Sequence, residues 1–172
     1  STERLIHDLI DIVSKNGCLL LNIAPHPDGS IPEPQMQRLR DIGEWLRANS
    51  EAIYGTRPWK VYGEGPTKTP VGHLSDLRFD GFTPQDVRFT QAKDGSALYA
   101  ILFGSPKDAS IIRSLTPDRG TITNVRFLAH ETPVQWRQSQ AGRELNLPVT
   151  PLVRSAFDLE ITGDNLSFNS ER

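Results

Sequence analysis

The run Cys18-Leu19-Leu20-Leu21-Asn22-Ile23 constrains the fold more than any other part of the chain. It is apolar on both faces, the composition of a strand covered on both sides. Such a strand needs neighbours along both edges, because an unpaired edge leaves a row of backbone N–H and C=O groups open. Before it, Leu5, Ile6, Leu9, Ile10 and Val13 recur at three- and four-residue spacing and predict a helix with one buried face. Asn16-Gly17 gives that helix a left-handed stop. After it, Pro25, Pro27 and Asp28-Gly29 form a loop. A second helix is expected to begin between Ser30 and Pro34, since proline is tolerated in a first turn. Met36, Leu39, Ile42 and Leu46 make its apolar stripe, which fades near Asn49-Ser50.

The rest of the chain has a different rhythm. Residues 50–75 hold Gly55, Pro58, Gly63, Gly65, Pro66, Pro70 and Gly72 and read as a connector, with Ile53, Tyr54, Trp59, Val61 and Tyr62 apolar enough to pack on neighbouring structure. From residue 76 onward, alternating or β-branched runs recur at 87–91, 98–103, 111–115, 122–128, 134–136, 144–147 and 157–161. Turn signals such as Lys93-Asp94-Gly95, Ser105-Pro106, Thr116-Pro117-Asp118, Gln140-Ala141-Gly142 and Pro148 separate them. Short strands at this spacing predict an antiparallel sandwich. The domain reading is therefore 1–60, 61–75 as connector, and 76–172.

A helix-strand-helix unit in front of an antiparallel sandwich is incomplete. The later strands are poor partners for a parallel-type strand at 18–23. The simplest expectation is that residues 1–60 are the terminal helix-strand-helix unit of a larger α/β sheet or barrel whose other strands lie upstream. A full α/β barrel takes about 250 residues, more than the 172 here. The alternative is a small mixed sheet in which 18–23 joins the sandwich.

Residues 5–67 carry, in this order, Ser14-Lys15-Asn16-Gly17, the apolar run ending in Asn22, Pro25, Asp28-Gly29, Gly43-Glu44-Trp45-Leu46, Glu51-Ala52-Ile53-Tyr54 and Gly55-Thr56-Arg57-Pro58-Trp59. In that order and at that spacing they resemble the end of the catalytic barrel of the α-L-fucosidases of glycoside hydrolase family 29. Residues 76–172 are more loosely similar to the family's C-terminal β-sandwich, with Ala97-Leu98-Tyr99-Ala100-Ile101 as a matching apolar strand. Cys18, Ala24 and Ser50 depart from residues common in the family. The implied fold class is α/β plus all-β, a last barrel unit followed by a sandwich. The implied function is that of a C-terminal part of a retaining enzyme that hydrolyses terminal α-L-fucose from glycans, without cofactor or metal. Its implied partners are a fucosylated glycan, reached through the complete barrel, and the N-terminal barrel segment or chain. An extracytoplasmic location is a further implication. The family's two catalytic carboxylates come from earlier in the barrel, so no catalytic residue is carried over and the isolated chain is expected to be inactive. Two other readings are a carbohydrate-binding or interaction sandwich and a subunit that completes a split barrel.

Composition removes several function classes. There are 19 basic and 21 acidic residues, with no polarised segment, so a nucleic-acid footprint is not expected. No apolar run approaches the roughly 18 residues of a membrane-crossing helix, and no membrane partner is expected. Cys18 is alone, which excludes an intrachain disulfide and a multi-cysteine zinc site. His7, His73 and His130 share no metal-ligand spacing.

Two residues are candidates for substrate binding. Asn22 would sit at the end of the barrel strand, on the face where such barrels keep their sites, and its amide could bond a sugar hydroxyl or satisfy loop backbone. His26 follows in the same loop, with an imidazole able to bond a hydroxyl or to titrate near neutrality. Asp28 and Glu33 flank that loop, but Asp28-Gly29 reads as a turn and Glu33 as a first-turn charge with Ser30 as its capping-box partner. Asp8 and Asp11 are expected to be solvated helix charges. Cys18 is expected to be a small buried residue. Trp45 and Trp136 are expected in cores, and Trp59 at the junction between the two parts.

Overall fold

In the computed structural model, the described residues are 1–69, 79–104, 110–117, 120–129, 134–146 and 155–164. Helix α1 spans Thr2–Ser14, with the Ser1 hydroxyl accepting from the Arg4 N–H at 3.3 Å as its N-cap. It ends as the sequence predicts. Asn16 takes a left-handed φ of 68° and the Gly17 N–H returns to the Ile12 carbonyl at 2.8 Å. Helix α2 spans Glu33–Asn49 with Pro34 in its first turn, and runs into a short 3-10 helix, Ser50–Ala52. Its N-cap is Pro32, and no side chain caps it. The expected Ser30–Glu33 capping box does not form, because the Ser30 hydroxyl is bonded to Asp28 at 2.7 Å.

Eight strands follow: β1 Thr56–Glu64, β2 Val87–Ala92, β3 Leu98–Leu102, β4 Ser110–Ile112, β5 Thr121–Phe127, β6 Gln135–Ser139, β7 Gly142–Asn146 and β8 Phe157–Asp164. They form two antiparallel sheets, one in the order β1-β2-β3-β8-β5 and one in the order β4-β7-β6. All seven strands expected after residue 76 are present. Between the sheets lies a core of Trp59, Phe89, Leu98, Leu102, Ile112, Leu115, Ile122, Val125, Leu159 and Ile161, with Trp136 packed against it. Alternation along β3 and β8 sends the other side chains to the opposite face. There Tyr99, Ile101, Phe103 and Ala156 meet Ile6 and Ile10 of α1 and Trp45 of α2. The described chain is thus three layers: helices, the five-stranded sheet and the three-stranded sheet.

Several expectations change. No strand forms at 18–23, and Leu20 is 88% exposed. The physical reason is the edge argument itself, since no described strand lies beside this segment to accept its backbone. Cys18 is consequently exposed, not buried. The stretch read as connector contains β1, which crosses the boundary drawn at 60/61. Pro58 and Gly63 read as breakers, but β1 is an edge strand, where proline and irregular pairing are tolerated. Its register against β2 shifts between Pro58 and Gly63. A Cβ on Gly63 would lie 2.6 Å from the Val87 carbonyl oxygen, so the glycine permits the close approach. Trp59 sits inside the sandwich core, edge-on to Phe89 at 5.1 Å, rather than at the junction. Asp11 is buried, because Arg88 of β2 meets it at 2.7 Å. Pro70, Gly72, His73, Ser105, Pro106, Asp118, His130, Leu147 and Pro148 lie outside the described residues.

Candidate functional site

The candidate residues Asn22 and His26 lie in one segment, 17–32, which spans from the end of α1 to the start of α2. The segment is tied at both ends. The Gly17 N–H holds the Ile12 carbonyl. At the other end Gln35, in the first turn of α2, grips one peptide of the segment twice. Its Oε1 accepts from the Ala24 N–H at 2.9 Å, and its Nε2 donates to the Ala24 carbonyl at 3.4 Å. A strand neighbour would make the same paired contacts, so Gln35 stands in for a piece of ladder. The sequence reading missed Gln35; its signal was a primary amide placed three residues inside the start of a helix that follows an extended run.

Beyond Ala24 the chain forms a hydrogen-bonded turn. The His26 N–H donates to the Ser30 carbonyl at 2.8 Å, and the Gly29 N–H donates to the His26 carbonyl at 2.9 Å. Gly29 takes φ 85°, which glycine adopts without strain. Asp28 Oδ1 accepts from both the Ser30 N–H (2.9 Å) and the Ser30 hydroxyl (2.7 Å). Asp28 is therefore a turn residue, as the sequence suggested. The hydrogen bonds from the Ser30 side chain and backbone hold its carboxyl below the usual aspartate range. It is ionised at neutral pH and has no proton to give as a general acid. Glu33 pairs with Arg40 across the exposed face of α2 at 3.2 Å. Neither carboxylate is poised for acid/base work, and the two do not form a glycosidase pair.

Asn22 and His26 are both exposed. They offer an amide and an imidazole on the open side of a segment whose apolar neighbours Leu19, Leu20, Leu21 and Ile23 are exposed as well. This arrangement can position a hydroxyl. Elsewhere, His7 is buried. Its Nε2–H donates to the Ser155 carbonyl at 2.6 Å, and its ring lies edge-on to Phe103 at 4.7 Å. Trp45 is in the helix–sheet core and donates its indole N–H to the Ala156 carbonyl. Among the described residues no group of three or more His, Cys, Asp or Glu side chains could hold a metal ion, and no helix is long and apolar enough to cross a membrane.

Removing the Gln35 grip gives a local prediction. In Gln35→Ala the Ala24 amide is expected to exchange its hydrogen roughly two- to tenfold faster, the effect of losing about 0.5–1.5 kcal/mol of hydrogen bonding. Exchange at the core amide of Ile101 should not change. Equal protection of Ala24 in both proteins, read by exchange with mass or NMR detection, would show that Gln35 does not hold the segment.

Comparison with known proteins agrees with this layout. Residues 1–51 match the family model described as α-L-fucosidase, and residues 80–162 match that of the α-L-fucosidase C-terminal domain. The tissue α-L-fucosidase of Rattus norvegicus is 32% identical over 168 residues, which are 95% of this chain and 32% of that protein. The plasma α-L-fucosidase of Homo sapiens is 32% identical over 147 residues, covering 85% of this chain and 28% of that protein. The crystal structure of the Thermotoga maritima α-fucosidase in complex with fucose superposes with a TM-score of 0.69 at 31% identity, over 94% of this chain and 34% of that one. The chain thus spans about a third of the length of these relatives.

Proposed function

Because this chain belongs to the α-L-fucosidase family, as the C-terminal part of a glycoside hydrolase family 29 member, we propose that it serves an enzyme that hydrolyses terminal α-L-fucose from glycans with retention of configuration. In this reading residues 18–23 are the last barrel strand, α1 and α2 flank it, and the sandwich braces the helices from outside. The chain's partners are the upstream barrel segment and, through the completed barrel, a fucosylated glycan. Asn22 and His26, at the end of that strand and in the loop after it, face the sugar or the side chains that act on it.

One observation carries the proposal. The two family matches follow each other along the chain, while the apolar run at 18–23 lies exposed and, among the described residues, without a strand neighbour. An exposed, tethered, doubly apolar segment is costly in water. It becomes intelligible as a strand awaiting a sheet.

A retaining glycosidase needs two carboxyl groups about 5–5.5 Å apart, one of them a nucleophile. Among the described residues, the two carboxylates that flank the candidate loop, Asp28 and Glu33, are engaged by Ser30 and Arg40. The isolated 172-residue chain is therefore expected to show no turnover of an aryl α-L-fucoside above the buffer rate. Clear turnover by the purified chain alone would refute the upstream placement of the catalytic pair.

A further inference from the structure

Asp158 is a fully buried acid of the described five-stranded sheet. It lies in β8, and its register partner in β3 is Ile101. Directly opposed residues of an antiparallel pair share a face, and Ile101 belongs to the helix–sheet core. Ala156, two residues earlier and on the same face, belongs to that core too. Phe157 and Leu159 point the other way, into the sandwich. The Asp158 side chain is thus placed between the sheet and the helix layer. Its residue is 2% exposed, and neither carboxylate oxygen has a hydrogen-bond partner among the described residues.

The charged and titratable groups on that side are engaged elsewhere. From α1, His7 bonds the Ser155 carbonyl, and Asp11 is shared by Arg88 and Lys15. From α2 come Trp45 and Asn49, neither of which ionises. From the 3-10 helix, Glu51 reaches Arg126, which also binds Glu160. From β2 comes Arg88, already held by Asp11, and from β3 comes Tyr99, whose hydroxyl burial keeps neutral. Among the described residues, every cation on that side already has a carboxylate partner other than Asp158.

We propose that Asp158 is a proton-dependent latch at the helix–sheet contact, packed as the neutral acid and loosening the helices from the sheet when it ionises. A lone carboxylate in an apolar layer is too costly to keep, so the group holds its proton or the layers part. Burial alone pushes its carboxyl well above the usual aspartate range. The sign follows from linkage. Above the unfolded-state value of about 3.9 the unfolded chain has released this proton while the folded chain still binds it. Stability therefore falls as pH rises through that window. The latch favours an acidic medium and does not depend on the fucosidase reading.

The test is thermal unfolding of the full chain between pH 5 and 8, for wild type, Asp158→Asn and Asp158→Leu. The wild-type midpoint is expected to drop by at least about 4 °C more than that of either variant over this range. Parallel curves for all three would overturn the latch. If neither variant folds, infrared spectra of the wild type still decide. A protonated-carboxyl band that persists at pH 7 and disappears on alkaline titration supports it, and the lack of such a band at pH 7 overturns it.

Discussion

Arg88→Ala is expected to lower the unfolding free energy by about 3–5 kcal/mol, measured by urea denaturation. The Arg88 Nε lies 2.7 Å from Asp11 Oδ1, and both side chains are nearly closed to water. One guanidinium nitrogen donates to the Val87 carbonyl at 3.1 Å, and the guanidinium carbon lies 4.9 Å from the centre of the Phe82 ring and 5.5 Å from those of Phe103 and Tyr62. Truncation removes a charge-assisted hydrogen bond and several cation–π contacts, and it leaves the Asp11 carboxylate in a cavity. Lys15 still holds the other Asp11 oxygen at 2.7 Å, which puts the loss toward the lower end of that range. A double replacement, Arg88→Met with Asp11→Leu, should recover most of it, because an apolar pair of similar volume avoids the stranded charge. A loss below about 1 kcal/mol for the single variant would place the pair among solvent-screened ones.

The second large effect concerns Asp86, which is fully buried at the turn before β2. Its carboxylate accepts four hydrogen bonds, from the Thr67 N–H (3.0 Å) and hydroxyl (2.6 Å) and from the Thr83 N–H (2.7 Å) and hydroxyl (2.9 Å). It ties the chain after β1 to the chain before β2. Gly65 makes room for it: φ is 126°, and a Cβ there would lie 2.6 Å from the Asp86 Cα. Hydrogen bonds to a charged group contribute about 1.5–3 kcal/mol each and are not additive. Asp86→Ala is expected to cost at least about 3 kcal/mol in the same denaturation measurement. Burial raises the Asp86 carboxyl, but the bonds from Thr67 and Thr83 outweigh it, and the net shift is downward. A depressed folded-state value means that this stabilisation is complete above the unfolded-state value of about 3.9 and is lost as pH falls through the folded one. Asp86 thus sets an acid limit while Asp158 sets an alkaline one. In Asp86→Asn the acid limb of the stability profile should flatten relative to wild type. An unchanged limb would mean that the four donors do not favour the charged form.

Local pattern carried much of this fold. The spacing of Leu5, Ile6, Leu9, Ile10 and Val13 located α1, and the left-handed Asn16 fell where its stop was expected. The alternating runs after residue 76 located seven strands. What local pattern could not carry was anything decided by a distant partner. Asp11 looks like a solvated helix charge until Arg88, 77 positions later, arrives beside it. Strand β1 was hidden by Pro58 and Gly63, which break an isolated strand but suit an edge. At the candidate site the order of residues was legible and their state was not. Asn22, His26 and Cys18 sit on a segment that is exposed and has no described strand beside it, against the buried strand expected there. Gln35 went unnoticed because its role, satisfying the Ala24 peptide, is set by a residue outside its own helix.

The proposed role of residues 18–23 is to complete a fucosidase barrel. It is tested most directly by a chimera in which this chain replaces the matching C-terminal third of the Thermotoga maritima enzyme. Two readings are taken together, hydrolysis of an aryl α-L-fucoside and hydrogen exchange of the amides at 18–23. Fucoside turnover by the chimera is expected, together with slow exchange at 18–23 where the isolated chain exchanges fast. A folded chimera with a protected sandwich, rapid exchange at 18–23 and no turnover would contradict it.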